Sequence, residues 1–232
     1  MSHQITRRAL LTSAGLSAAF GMNAAASQAD AADSPILIVG ISCSPRKGKT
    51  TATATAFALE AAKEVHPRIT TTFIDLGGKH IAPSDGTSSA TPSTLNDDFD
   101  EILPVLQSKH LGGIIIGSPS YFRSLSALCK AFLERLAALR NPELLLADVP
   151  VGALAVGSYR NGGQELVIEQ ILTAMLCHEA MLVGGKPRAH QGATLWNAYG
   201  DDITQDLVGM ESARNLGIRV AEAAVRLQAT HI

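Results

Sequence analysis

The 232-residue chain has only three cysteines, Cys43, Cys129 and Cys177, and that scarcity removes several functions at once. An odd, dispersed set cannot all pair internally, and none stands in a CxxC or Cys/His ligand spacing. Neither a disulfide framework nor a metal site is expected. Cys129 and Cys177 fall in apolar helical stretches and read as packing residues, while Cys43, beside a polar loop, is the candidate reactive thiol. Charge of one sign is lacking too. Nineteen basic residues against 21 acidic ones leave a net charge of −2, with no basic footprint for nucleic acid or anionic lipid. No nucleophile–base grouping is visible either, since His178 and His190 stand without partners in the sequence and read as structural.

The N-terminus carries a separate message. Arg7 and Arg8 precede a modestly apolar stretch to about Met22, followed by small residues through Ala31. This is the layout of a twin-arginine export signal, too short and too rich in Ala and Gly to span a membrane. Residues 1–31 are therefore set apart. The expected mature protein, 32–232, has a net charge of about −3, lies in the periplasm without stable membrane insertion, and forms one ordinary domain.

Ile36 through Ile41 is an unbroken apolar run that suits a strand buried on both faces, and it empties into Ser42-Cys43-Ser44-Pro45-Arg46-Lys47-Gly48-Lys49-Thr50-Thr51. Ser42, Ser44, Thr50 and Thr51 can donate to phosphate oxygens, Arg46 and Lys49 can balance a phosphomonoester, and the helix that follows presents free N–H groups. A phosphorylated ligand is implied. Gly48-Lys49-Thr50 resembles the end of a nucleoside-triphosphate loop, but Cys43 stands where that pattern needs Gly and Pro45 removes an N–H. The three spaced glycines of the dinucleotide fingerprint are absent as well.

Further apolar runs at 69–76, 112–117, 149–156 and, more weakly, 180–184 alternate with helical stretches near 50–65, 95–109, 125–140, 163–178 and 205–227. The pattern predicts an α/β domain: a flavodoxin-like, doubly wound, five-stranded parallel sheet with helices on both faces. Ligands of such sheets lie beyond the carboxyl ends of the strands. Two more polar segments fall there, Gly117 through Arg123 and Gly157 through Glu165. Backbone and side-chain donors beside aromatic surface suit a flat heteroaromatic ring, which points to Pro119, Ser120, Tyr121, Phe122, Gly157, Ser158, Tyr159, Gly162 and Gly163. Tyr121, Phe122, Tyr159 and Arg160 are candidates for an acceptor pocket.

Ser44-Pro45-Arg46 with Gly48-Lys49-Thr50, the Gly117–Phe122 segment, and Gly157 through Glu165 with its Gly-Gly-Gln-Glu core resemble the three FMN-contacting segments of the NADPH-dependent FMN reductase and iron–sulfur flavoprotein group. The tail from Gly192 to Asp201 and from Gly209 to Gly217 is similar too. The resemblance implies bound FMN, redox activity with NADPH or NADH as co-substrate, and a homodimer or homotetramer. It also has limits. Where cluster-bearing members carry cysteines near an Ile-x-Pro-Cys pattern, this chain reads Ile81-Ala82-Pro83-Ser84, so no cluster is expected there. Lys49 stands in place of the usual Asn, and 83–93 reads as a flexible excursion.

The expected function is an exported FMN-dependent oxidoreductase joining a small-molecule electron donor to a small acceptor, with the flavin supplying the redox chemistry and no side chain acting as catalyst. Export makes a quinol an alternative donor to NAD(P)H. A non-enzymatic, flavodoxin-like electron carrier is the alternative of a different class.

Overall fold

The computed structural model describes residues 34–84, 86, 97–187 and 189–230. The twin-arginine segment and most of the predicted 83–93 excursion lie outside the described residues. Strands β1 (Ile36–Ser42), β2 (Ile69–Asp75), β3 (Leu111–Pro119), β4 (Pro150–Gly157), β5 (Met181–Leu182) and β6 (Ala193–Trp196) form one parallel sheet. The helices are α1 (Thr50–Lys63), α2 (Phe99–Leu106), α3 (Ala127–Arg135), α4 (Gln164–Leu176) and α5 (Leu207–Thr230). Neighbouring strands run β2-β1-β3-β4-β5, the doubly wound order that places a crevice where the chain reverses direction between β1 and β3.

The expected five-stranded sheet becomes six strands in five positions. β5 pairs with Pro150 and Val151 of β4, and β6 pairs further along with Leu154 through Gly157. Both occupy the side of β4 opposite β3, so the fifth position is split by the 183–192 excursion. That detour lets β6 reach the carboxyl end of β4 and deliver the segment after Trp196 to the same edge. The sequence reading ended its fifth strand at Gly184 because two short pieces leave no periodic run to detect.

Alternating side chains feed two cores. Val39, Ile41, Ile114, Ile116, Val151 and Ala153 face α2, α3 and α4, where Phe99 and Phe132 pack with ring centroids 6.2 Å apart. Ile36, Ile38, Ile115, Leu154 and Leu195 face α1 and α5. On this second side small residues set the spacing. A Cβ on Gly217 of α5 would lie 1.9 Å from the carbonyl oxygen of Ala58, so α1 docks on α5 at backbone distance. α1 is thereby fixed with its N-terminus at the carboxyl edge of the sheet. Cys43 and Cys129 are buried in the first core, and burial, followed by the neighbouring Cys129, pushes the Cys43 thiol up; it is not the reactive thiol considered from sequence. Cys177 is exposed at the end of α4 rather than packed, because the helix stops at Leu176 and turns it outward.

Candidate functional site

The carboxyl edge gathers four segments. The first is the Ser42–Thr51 loop. Lys49 is the N-cap of α1 and supplies no side-chain cap, so the first N–H groups of a 14-residue helix have no side-chain partner. Ser42 pairs in register with Gly117, whose built Cβ would lie 3.2 Å from Thr51 Cγ2 and 2.5 Å from Thr55 Oγ1. Register partners share a face of the sheet, so Ser42 also faces the start of α1. Its hydroxyl is fully buried and has no partner among the described residues. Thr50 and Thr51 are buried beside it, whereas Arg46 and Lys49 sit exposed on the rim. The Ser44 hydroxyl accepts from the Arg46 N–H at 3.2 Å, tightening the turn after the strand.

The second segment follows β3. Pro119 ends the strand and is buried; Ser120 is half-buried and donates through Oγ to the Gly162 carbonyl at 2.6 Å. Tyr121 and Ser124 then exchange backbone hydrogen bonds of 2.9 and 3.0 Å across a two-residue tip. Phe122 and Arg123 at that tip have φ of 51° and 63°, positions that a bulky residue rarely adopts. Phe122 is fully exposed. A fully exposed aromatic at positive φ stores local backbone strain at the carboxyl edge of the sheet.

The third segment, Gly157 through Gly163, wraps the side chain of Gln164. The Gln164 amide donates to the Tyr159 carbonyl at 2.7 Å and to the Leu195 carbonyl at 3.1 Å, and a Cβ on Gly157 would collide with it. Gly163 has φ 88° and approaches the Arg123 backbone so closely that its Cβ would stand 2.7 Å from Arg123 Cα. Ser158 and Tyr159 are exposed.

The fourth segment, Trp196 to Asp201, was not among the residues picked from sequence. Trp196 donates its indole N–H to the Ser158 carbonyl at 3.2 Å, carries the Arg160 guanidinium over its ring at 4.4 Å, and meets Tyr199 edge-on at 5.6 Å. Buried Asp206 fixes the start of this segment by accepting from the Trp196 N–H at 2.7 Å. The Asn197 N–H donates to the Gly157 carbonyl at 2.8 Å, and its amide donates to Asp201 at 2.9 Å. Asp201 in turn accepts from Arg46 at 2.9 Å.

These contacts close a ring. The buried Ser126 hydroxyl caps α3 through the Cys129 N–H and donates to the Cys43 carbonyl, joining the first segment to the second. Ser120 joins the second to the third, Trp196 and Asn197 join the third to the fourth, and Asp201 returns to the first. All three tyrosines and the single tryptophan of the chain stand on this edge. The site residues expected from sequence are thus brought to one crevice. Ser126, Gln164, Trp196, Asn197 and Asp201 are the ones sequence reasoning missed; the Gly-Gly-Gln-Glu and Gly200-Asp201 segments were the available signals for two of them.

Comparison with known proteins decides the family. Residues 36–193 match the family model of NADPH-dependent FMN reductase. An iron–sulfur flavoprotein of Methanocaldococcus jannaschii is 41% identical over 189 residues, covering 80% of this chain and 95% of that protein. The chain belongs to the NADPH-dependent FMN reductase family. An iron–sulfur flavoprotein of Archaeoglobus fulgidus is 36% identical over 200 residues, covering 83% of this chain and 99% of that one. Among solved structures, RosB with a bound riboflavin-5'-phosphate derivative superposes with a TM-score of 0.66 at 14% identity over 85% of this chain and 82% of that chain. A flavodoxin-type, WrbA-like protein from Agrobacterium tumefaciens gives 0.59 at 17% over 82% and 98%. Those likenesses establish the flavodoxin-like fold.

Family membership makes the protein an FMN-dependent oxidoreductase with FMN as cofactor. The residues fit that cofactor: a buried hydroxyl without a partner among the described residues, a helix start without a side-chain cap, and the Asn197 amide oxygen, also buried and without a partner among them, lie on the carboxyl edge of the sheet. They do not fit the cluster for which the curated relatives are named. Cys43 and Cys129 are sealed in the core, Cys177 projects at the far end of α4, and Ser84 follows Pro83. Among the described residues no group of three metal-ligating side chains occurs.

Proposed function

We propose that the chain is an exported FMN-dependent oxidoreductase that holds the FMN phosphate at the start of α1 and the isoalloxazine between the second, third and fourth segments. The observation that carries this reading is the buried, unpartnered Ser42 hydroxyl beside a helix start that no side chain caps. A phosphomonoester would satisfy both, with Ser44, Thr50 and Thr51 lining the pocket and Arg46 and Lys49 supplying charge from the rim. Pro119, Ser120, Tyr121, Phe122, Gly157, Ser158, Tyr159, Gly162 and Gly163 would border the ring. When bound, the flavin supplies hydride and electron transfer. The chain's own groups then bind and orient. Asn197 Oδ1 offers an acceptor to a ligand N–H or hydroxyl, and the rim of Tyr121, Phe122, Tyr159, Tyr199, Trp196 and Arg160 receives a planar co-substrate.

The co-substrates in this reading are NAD(P)H or a quinol as donor and a quinone or similar small molecule as acceptor. Arg7-Arg8 supports export to the periplasm with the cofactor already in place. Assembly into a homodimer or homotetramer is part of the proposal, and the exposed Leu166 and Leu176 of α4 offer apolar surface for it. An electron carrier fits less well, because Arg123 and Arg160 make the rim basic and aromatic rather than acidic. The test is to purify the exported form, identify the flavin released on denaturation, and record the visible spectrum after NADH, NADPH and a short-chain quinol. Bleaching by one of these with turnover of a quinone supports the reading; release of FAD, or no flavin at all, overturns it.

A further inference from the structure

Asp201 lies beyond the 36–193 stretch that matches the family model. Gly200 and Asp201 both have positive φ, 59° and 69°, a region that Gly adopts freely and Asp tolerates better than most residues. What the turn achieves is a carboxylate aimed back at a loop 155 residues away. Both Asp201 oxygens accept from the same Arg46 nitrogen, Nη1, at 2.9 Å. The Asn197 amide holds Oδ1 from the other side at 2.9 Å, and Asn197 is itself pinned to the Gly157 carbonyl. The Asn197 amide and then Arg46 hold the Asp201 carboxyl below the usual carboxylate range.

This grip differs from a fork-to-fork pair, in which Nη1 and a second nitrogen would both be consumed. Here Nε and Nη2 of Arg46 keep three N–H donors with no partner among the described residues, on the loop that also carries Ser42 and the start of α1. We propose that Asp201 is a positioning residue for phosphate recognition: it holds Arg46 by one nitrogen so that the remaining donors face a phosphomonoester at α1. The inference rests on the assignment of that crevice to FMN and deepens it. Arg46 is a long, exposed side chain that would otherwise sample many rotamers, and fixing it beforehand lowers the entropy lost on binding.

The experiment titrates flavin-free full-length protein with FMN and with riboflavin, which lacks the phosphate, and follows quenching of flavin fluorescence. Asp201→Asn should weaken FMN about tenfold, the scale of one charge-assisted hydrogen bond, and leave riboflavin unchanged. In an Arg46→Gln background the same substitution should have almost no further effect, and Asp201→Glu should restore part of the FMN affinity. Equal losses for FMN and riboflavin would show a merely structural role, and unchanged or tighter FMN binding would make Asp201 a bystander or a competitor; each overturns the inference. A parallel titration with inorganic phosphate, read by ³¹P line width, separates the two levels. Phosphate binding that depends on Arg46 and Asp201 without FMN binding would sink the flavin assignment and leave Asp201's role standing. Binding of neither ligand would overturn both.

Discussion

The two ends of the crevice are built on opposite plans. At the proposed phosphate end the polar groups are buried hydroxyls and backbone, and the loop is braced by Asp75, which accepts from the Gly48 N–H at 2.7 Å and the Gly77 N–H at 3.0 Å. At the proposed ring end the groups are exposed aromatics on turns that violate backbone preference, with Phe122 and Arg123 at positive φ. The contrast fits the ligand chemistry proposed for the two ends. A phosphate is recognised by fixed dipoles in a place where water competes poorly, whereas a flat ring with a changing partner needs accessible surface held at a set angle. Packing defects should therefore damage the phosphate end most, and strain relief should act at the ring end.

The largest expected effect strikes the support of the phosphate end. Gly217→Val drives a side chain into the Ala58 backbone and should cost about 3 kcal/mol or more, measured by urea denaturation, because α1 cannot move without uncovering the core. Next, Gly163→Val combines a φ of 88° with a collision at Arg123 and should cost about 2 kcal/mol, with loss of flavin binding by titration, while His190→Ala leaves binding intact. The reverse ranking of these two would break the placement of the ring.

Ser42→Ala sharpens the comparison because two readouts should move in opposite directions. Removing a buried hydroxyl that lacks a partner should stabilise the flavin-free protein by up to about 1 kcal/mol, yet weaken FMN severalfold and leave riboflavin alone. At the other end, Phe122→Asn places a residue that tolerates positive φ on the strained tip. It should raise the melting midpoint slightly, by about 0.5–1 kcal/mol of stability, and raise KM for a planar acceptor.

The smallest effect lies away from both ends, at His178 behind the last turn of α4. Burial, and then the Arg140 guanidinium, lower its basicity, so the folded imidazole is neutral at pH 7. Its contribution to stability is complete above the ordinary histidine value near 6.5 and is lost as pH falls below it, since the unfolded chain takes up the proton first. His178→Gln should flatten that part of the acid limb in denaturation midpoints and leave flavin binding unchanged.

Much of this could be read without coordinates. The apolar runs of β1, β3 and β4 identify themselves because strands buried on both faces show no alternation, and polar residues at their ends must then share one edge of a parallel sheet. Cys177 was misjudged because helical periodicity says nothing about where a helix stops. The split fifth strand escaped because β5 has two residues and β6 has four, both below the length at which a pattern is visible.

By itself, then, the sequence determined the first four strands and the five helices in their order, the three polar loops and the poverty of cysteine that rules out a cysteine-held cluster. These are local or compositional properties, carried by neighbours along the chain. Only the tertiary structure decided how the edge closes: Ser126 under Cys43, Gln164 under Tyr159 and Leu195, and Asp201 on Arg46. The Asp201 contact joins residues 155 apart, and the sequence holds no periodicity for it, because such a pairing exists only after α1, β4 and β6 have packed against the same sheet.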